Sequence, residues 1–453
     1  MAERRDVDRE ARRVIDGEAR RVIEVGALAR VEGEGALHLV VEGGRVTDLR
    51  LEIYEPPRFF EAFARGRRAD ELPDLMARIC GICPVAYQMS AVHAIEAAFG
   101  VALHPVVRAL RRLYYAGEWI ESHLLHMTFL AAPDFLGLDD GIQIAQLHRA
   151  EVERALRLRK LGNRILIAFG GRSVNPVGVR IGGFHRIPTR AELGVLGDEL
   201  RRARGEAEAL LRWFGSLPVP SRPQDVELVA LRHGEEYPMN EGRVVSSRGL
   251  DVAADAFEEA FEEVQVPHST ALQSRLRSGG GCYLVGPLAR VALNADRLSP
   301  AAAAAHAAFA QRFERPDPAG SVFARGIEVL QAIDEAIAVI DAFEEPAESA
   351  PAWTPRAGVG RAATEAPRGI LFVAVETDAE GLVRRLRIVP PTSQNQAQIE
   401  ADLRALAPAV LALPEDRARR TCEAAIRDYD PCISCATHFL TLTIERREPC
   451  ASG

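Results

Sequence analysis

Two hydrophobic periods run along the chain. From Leu37 to Ile53 the apolar positions alternate: Leu37, Leu39 and Val41, then Leu49, Leu51 and Ile53 beyond Gly43-Gly44. A period of two marks strands with one buried face, and the glycine pair predicts the turn of a hairpin. A second hairpin is predicted over Ile370 to Glu376 and Val383 to Val389, around Asp378-Ala379-Glu380-Gly381. Elsewhere the period is helical. Leu110, Leu113, Gly117, Ile120 and Leu124 recur at helix spacing. Further helices are expected over 61–77, 86–99, 146–167, 301–313, 323–343, 395–413 and 415–427. Thr189 and Glu192 have capping-box spacing after Pro188, and Ser299-Pro300 reads as N-cap and first helical residue. The expectation is an α+β fold, mainly helical, with a long-helix bundle core and small β-hairpin or sheet regions.

Organisation follows from composition shifts. Residues 1–24 are rich in Arg, Glu and Asp and are expected to be poorly ordered, as chain ends often are. Residues 25–438 read as a single domain. The Pro- and Ala-rich stretch 344–360 reads as an exposed connection within it. Residues 439–453 form a separate tail.

Bulk properties narrow the function. The 453 residues are 47% hydrophobic, enough for a large core. A net charge of -8 without a long basic run argues against nucleic acid. No run of 18 apolar residues predicts a membrane span, and a charged start without an apolar signal core points to the cytoplasm.

Candidate chemistry sits at the two ends. Arg78-Ile79-Cys80-Gly81-Ile82-Cys83-Pro84 and Asp430-Pro431-Cys432-Ile433-Ser434-Cys435-Ala436-Thr437-His438 each hold a Cys-x-x-Cys. One such turn is a weak signal, whereas two suggest four thiolates around a metal. Spacing alone leaves zinc as the default ion, yet zinc ribbons place their halves some 15 to 20 residues apart. Here most of the chain intervenes, so the fold itself must join the halves. Cys282, Cys422 and Cys450 read as reduced thiols. His123 and His126 share one helical turn but lack a patterned third ligand, and they read as core or interface histidines.

At these motifs the sequence resembles the large subunit of nickel-iron hydrogenases. Arg30-Val31-Glu32-Gly33, Arg58-Phe59-Phe60-Glu61, Glu365-Ala366-Pro367-Arg368-Gly369 and Pro391-Thr392-Ser393-Gln394-Asn395 match further family segments, in family order. The resemblance implies an enzyme that reversibly oxidises dihydrogen at a nickel-iron centre whose iron carries carbon monoxide and cyanide. It implies Cys80 and Cys432 as terminal nickel ligands and Cys83 and Cys435 as bridges to iron. Arg368 and Thr392 match the positions around the cyanide ligands, and Arg368 would lie over the open metal position. Glu32 matches the proton-relay glutamate beside Cys432. Glu61 and His438 match a separate magnesium site, where another divalent cation is an alternative. Tyr87 and Asn175 stand where relatives often have His.

No further cluster motif or dinucleotide fingerprint remains. Iron-sulfur clusters, flavin and NAD(P) are therefore expected only in partners: an iron-sulfur small subunit and diaphorase subunits of the soluble NAD(P)-linked group. A maturation protease and nickel chaperones are implied too, with 439–453 as the maturation peptide cut after His438. The rival readings are a hydrogen-sensing relative, a structural subunit of a respiratory-type complex, whose kind lacks the cysteines, and a zinc-thiolate scaffold.

Overall fold

The structure is a computed structural model that describes residues 20–438. The first 19 residues and the tail 439–453 lie outside the described residues, and with them the expected maturation peptide and most of the expected poorly ordered start.

The chain opens in a three-stranded antiparallel sheet of β1 (Arg21–Val25), β2 (Gly35–Glu42) and β3 (Arg45–Ile53). The predicted hairpin is present, with Leu37 opposite Leu51 and Leu39 opposite Leu49. The ordered fold begins earlier than expected. Residues 21–24 pair with 38–41, and Ile23 is buried. The alternation in Arg-Val-Ile-Glu-Val was masked by the surrounding charges.

Two short helices, Phe60–Ala64 and Leu72–Met76, replace the continuous helix expected over 61–77. Gly66 at positive φ and Pro73 break it. Then follow α1 (Pro84–Phe99), α2 (Pro105–Leu125), α3 (Arg149–Gly170) and α4 (Arg190–Ser216). The Thr189–Glu192 capping box forms as read. Helix α2 packs on α3 and on α6 (Ser321–Asp341), while α4 packs on α3 and α6, closing a four-helix bundle. The α2–α3 crossing is very close: a Cβ on Gly162 would lie 2.7 Å from the Gly117 carbonyl oxygen. Only glycine permits that approach.

Before α6 come β4 (Glu227–Arg232), the edge of α5 (Pro287–Asn294) and several short strands. This region was not recognised as a sheet, because its strands are two to six residues long. Beyond α6, β5 (Gly358–Ala366), β6 (Gly369–Thr377) and β7 (Val383–Val389) form an antiparallel sheet against which α1 lies. The second hairpin is as predicted, but β5 was not. It carries the small residues Gly358, Gly360, Ala362 and Ala363, and at Gly360 any side chain would collide with the Ala94 carbonyl of α1. The chain closes with α7 (Pro391–Leu411) and α8 (Glu415–Arg427), which back the first sheet.

Candidate metal centre

Each cysteine turn sits at an element boundary. Cys80 follows the helix Leu72–Met76, and Cys83 is the N-cap of α1 with Pro84 as its first residue. Asp430 adopts a left-handed backbone (φ 53°) directly before Pro431-Cys432, and Cys435 lies in a 3-10 turn, Ser434–Ala436. Three contacts join the ends. The main chain of Glu32 bridges that of Cys432, with Ile433 N donating to Glu32 O at 2.9 Å. Arg58 donates to Ile79 O of the first turn at 2.8 Å and also to Ser434 O of the second. Thr392, in the first turn of α7, accepts from Cys432 N at 2.9 Å.

The four sulfurs converge within 4.8 Å of one another and are all buried. Cys80 to Cys83 and Cys432 to Cys435 are each 2.7 Å, and Cys80 to Cys432 and Cys83 to Cys435 are 3.5 and 3.7 Å. Every pair exceeds a disulfide bond of about 2.05 Å. Burial pushes the Cys83 and Cys432 thiols well up. Burial also opposes ionisation of Cys80, but hydrogen bonds from the other sulfurs and the Arg368 charge hold it well below the ordinary thiol value. Four thiolates at one point therefore need a cation, and their softness suits nickel, iron or zinc.

A narrow cavity adjoins the sulfurs. Ala366, Leu371 and Pro391 give it apolar walls, and Arg368, Thr392 and Tyr87 reach it with donors. The Tyr87 hydroxyl lies 3.5 Å from Cys435 O. The Arg368 guanidinium is buried, and its charge is held on by Asp430 and the cysteine sulfurs despite the burial.

Behind Arg368 runs a buried chain of charges that sequence reading missed. Asp430 also pairs with Arg325 at 3.2 Å. Arg325 donates to His123 Nδ1, whose Nε2 lies 2.9 Å from Glu328. Glu328 takes both ends of Arg290 at 2.7 Å, and Arg290 also donates to Ala366 O and Pro367 O, at 2.8 and 2.9 Å. Thus the turn bearing Arg368 is gripped from both sides. His123 and His126 are core histidines, as read. Only a fold could show the partners, which come from α2, α5, α6 and the last turn.

Glu32 is partly buried and accepts from Ser434 N at 3.1 Å, with a further side-chain hydrogen bond to Cys432. Burial and the neighbouring Cys80 raise its pKa. Glu61 and His438 meet on the other side of the last turn. Glu61 Oε1 accepts from Ile388 N at 2.8 Å and lies 3.7 Å from His438 Nδ1. Both ring nitrogens of His438 are buried without a hydrogen-bond partner among the described residues, and burial takes its pKa down to about 3. A neutral, unpartnered imidazole beside a carboxylate fits a small cation.

All nine predicted site residues thus fall in two adjoining clusters, and comparison with known proteins places the chain. The family model described as "Nickel-dependent hydrogenase" matches residues 58–185. Sulfhydrogenase 1 subunit alpha of Pyrococcus furiosus is 31% identical over 419 residues, 92% of this chain and 97% of that one. The chain belongs to the nickel-dependent hydrogenases. It is the catalytic large subunit of such a hydrogenase. NAD-reducing hydrogenase HoxS subunit beta of Cupriavidus necator is 27% identical, covering 91% of this hydrogenase chain and 94% of its own. The fold of the present chain matches a crystal structure of an NAD+-reducing [NiFe]-hydrogenase in the H2-reduced state, with a TM-score of 0.83 and 28% identity over 92% and 99% of the two chains. No helix of the described residues is long and apolar enough to cross a membrane.

Proposed function

We propose that this hydrogenase subunit oxidises dihydrogen reversibly at a nickel-iron centre held by Cys80, Cys83, Cys432 and Cys435. The observation that carries this reading is the convergence of four buried sulfurs beside Arg368 and a narrow, mostly apolar cavity. Cys80 and Cys432 would hold nickel, and Cys83 and Cys435 would be shared with iron; Cys83, Cys432 and Cys435 all line the cavity. When bound, the metals supply the redox couple and the open position at which dihydrogen is split. The cavity's apolar walls suit carbon monoxide, and its donors at Arg368 and Thr392 suit cyanide.

The protein's own groups handle charge and protons. Arg368 cannot readily lose its proton, so it offers a fixed positive charge over the reacting position. Glu32, hydrogen-bonded to Cys432, is placed to take a proton from that sulfur. Its raised pKa brings it closer to a working pH, as a carboxylate that must both accept and release a proton requires. Glu61 and His438 would hold magnesium or another divalent cation, with water completing the shell.

Electrons leave to an iron-sulfur small subunit, and from there to NAD(P) through diaphorase subunits, in the cytoplasm. The NAD-reducing relatives and the lack of any further cysteine cluster among the described residues support this. Metal analysis and infrared spectroscopy of the purified complex test the centre. Nickel and iron in equal amounts, with carbon monoxide and cyanide bands, are expected. Stoichiometric zinc without those bands would overturn the reading. NAD(P)-dependent hydrogen uptake tests the acceptor, and uptake with an artificial dye alone would remove it.

A further inference from the structure

Helix α1 begins at the second cysteine of the first pair. Cys83 is its N-cap, and the Cys83 side chain makes no capping hydrogen bond. An N-cap side chain ordinarily accepts from the second or third helical N–H, and leaving both unmade in a buried helix end is costly. Pro84 has no N–H to satisfy. The next two donors are Val85 N and Ala86 N, and both go to one residue of another helix. Glu118 of α2 accepts from Val85 N at 2.6 Å through Oε2 and from Ala86 N at 3.1 Å through Oε1.

We propose that Glu118 is a positioning residue for Cys83, supplying from α2 the cap that the N-cap residue withholds. The cysteine sulfur is thereby released from its helix and directed at the other three. A sulfur engaged by Ala86 N would be drawn toward the helix axis. Instead Cys83 Sγ lies 2.7 Å from Cys80 Sγ and 3.7 Å from Cys435 Sγ.

The same turn of α2 also anchors the opposite wall of the site. Trp119 Nε1 donates to Glu365 O at 3.0 Å, and the Tyr115 hydroxyl bonds Thr364 at 2.8 Å. Those two residues lie near the end of β5, just before the turn that carries Arg368. Gly117 lets this part of α2 sit hard against Ile165 and Leu166 of α3. The carboxylate is therefore fixed to the bundle and fully buried. Both of its oxygens are used, so an amide cannot replace it: Gln would set an N–H₂ against a backbone N–H.

The inference rests on the nickel-iron reading above, and its test separates the two. The complete complex is purified in wild-type form and with Glu118→Ala, Glu118→Gln and Gly100→Ala. Gly100 is the control, since it caps the far end of α1 at φ 65° and its substitution weakens the same helix away from the sulfurs. Metal content and the carbon monoxide and cyanide bands are measured for each, beside the melting temperature. Nickel per chain should fall severalfold in Glu118→Ala. Glu118→Gln, which keeps the shape, should shift or split the bands. Gly100→Ala should melt earlier yet keep wild-type bands and nickel per chain. Wild-type bands and full nickel in both Glu118 variants would overturn the proposal, as would equal spectral damage in Gly100→Ala. Absence of the bands from the wild type would instead overturn the nickel-iron reading.

Discussion

Arg368 is tied to Asp430 at two points. Its Nε donates to the Asp430 main-chain oxygen at 2.8 Å, and its Nη2 to the carboxylate at 3.0 Å. Asp430 stands two residues before Cys432, so the guanidinium and the second cysteine turn are held as one body. Burial opposes the charge of Asp430, but Arg368 and Arg325 hold its carboxyl below the ordinary carboxylate range.

Arg368→Lys should therefore retain the metals and lose most activity. Lysine keeps the charge but cannot make both bonds from one planar group. By analogy with the loss of one preorganised electrostatic donor, hydrogen uptake should fall about 10²- to 10³-fold. Dye-linked uptake alongside metal analysis checks this. Activity within a few-fold of wild type would show that the fixed geometry is dispensable.

Glu32→Gln should also keep the metals. The amide retains the bulk of the side chain and an acceptor for Ser434 N, while the base is gone. Isotope exchange between hydrogen gas and water should slow about 10²- to 10⁴-fold. Exchange at the wild-type rate would remove Glu32 from the proton path.

Much of this was legible in the sequence, for identifiable reasons. The hairpins were written in period two, and the long helices in period 3.6 with explicit caps at Thr189 and Ser299. The cysteine pairs and their flanking motifs are contiguous, so they could be read locally. What escaped notice lacks local pattern. Strand β5 is built of glycines and alanines because α1 lies against it, and small residues carry no alternation. Arg58, Glu118, Arg290 and Glu328 look like ordinary surface charges in sequence, since most such residues are exposed. Their partners come from distant elements, and no spacing announces a pairing of Glu118 with Val85. A rare signal was present: Glu118 falls within the apolar run Leu113 to Leu124, on the face that the bundle buries.

The buried histidines set an acid limit. His126 is buried, with Nε2 against Arg427 O at 2.8 Å, and it faces Arg325, Asp430 and Arg368. Burial, aided by the arginines, lowers its pKa to about 3, against about 6.5 in an unfolded chain. Below about pH 6.5 the unfolded chain takes up a proton that the folded one refuses. This contribution is complete above that value and is lost at ~1.4 kcal/mol per pH unit as pH falls toward the folded pKa. His126→Gln should keep a donor for Arg427 O and flatten the decline by about that slope. Denaturant midpoints measured between about pH 7 and 5 decide it. Identical slopes in the two proteins would show that His126 titrates normally.

Residues Phe439 to Gly453 follow directly on His438, whose side chain is buried beside Glu61 and three residues from Cys435. His438 O accepts from Glu61 N at 3.3 Å, and Thr437 O from Arg58 N at 2.6 Å, so the last turn is seated right up to His438. The charges of Arg58 and Arg387 already act on His438 and help to hold its ring neutral. A free carboxylate created by cleavage after His438 would find those two cations waiting, and it would add an anion beside Glu61 for a divalent ion. An attached tail offers only an amide there. Cleavage should therefore follow metal insertion and lock the turn, and active enzyme should end at His438 while the metal-free precursor does not. Intact-mass measurement of the large subunit in active and nickel-starved preparations tests this. An active chain still carrying Gly453 would refute it.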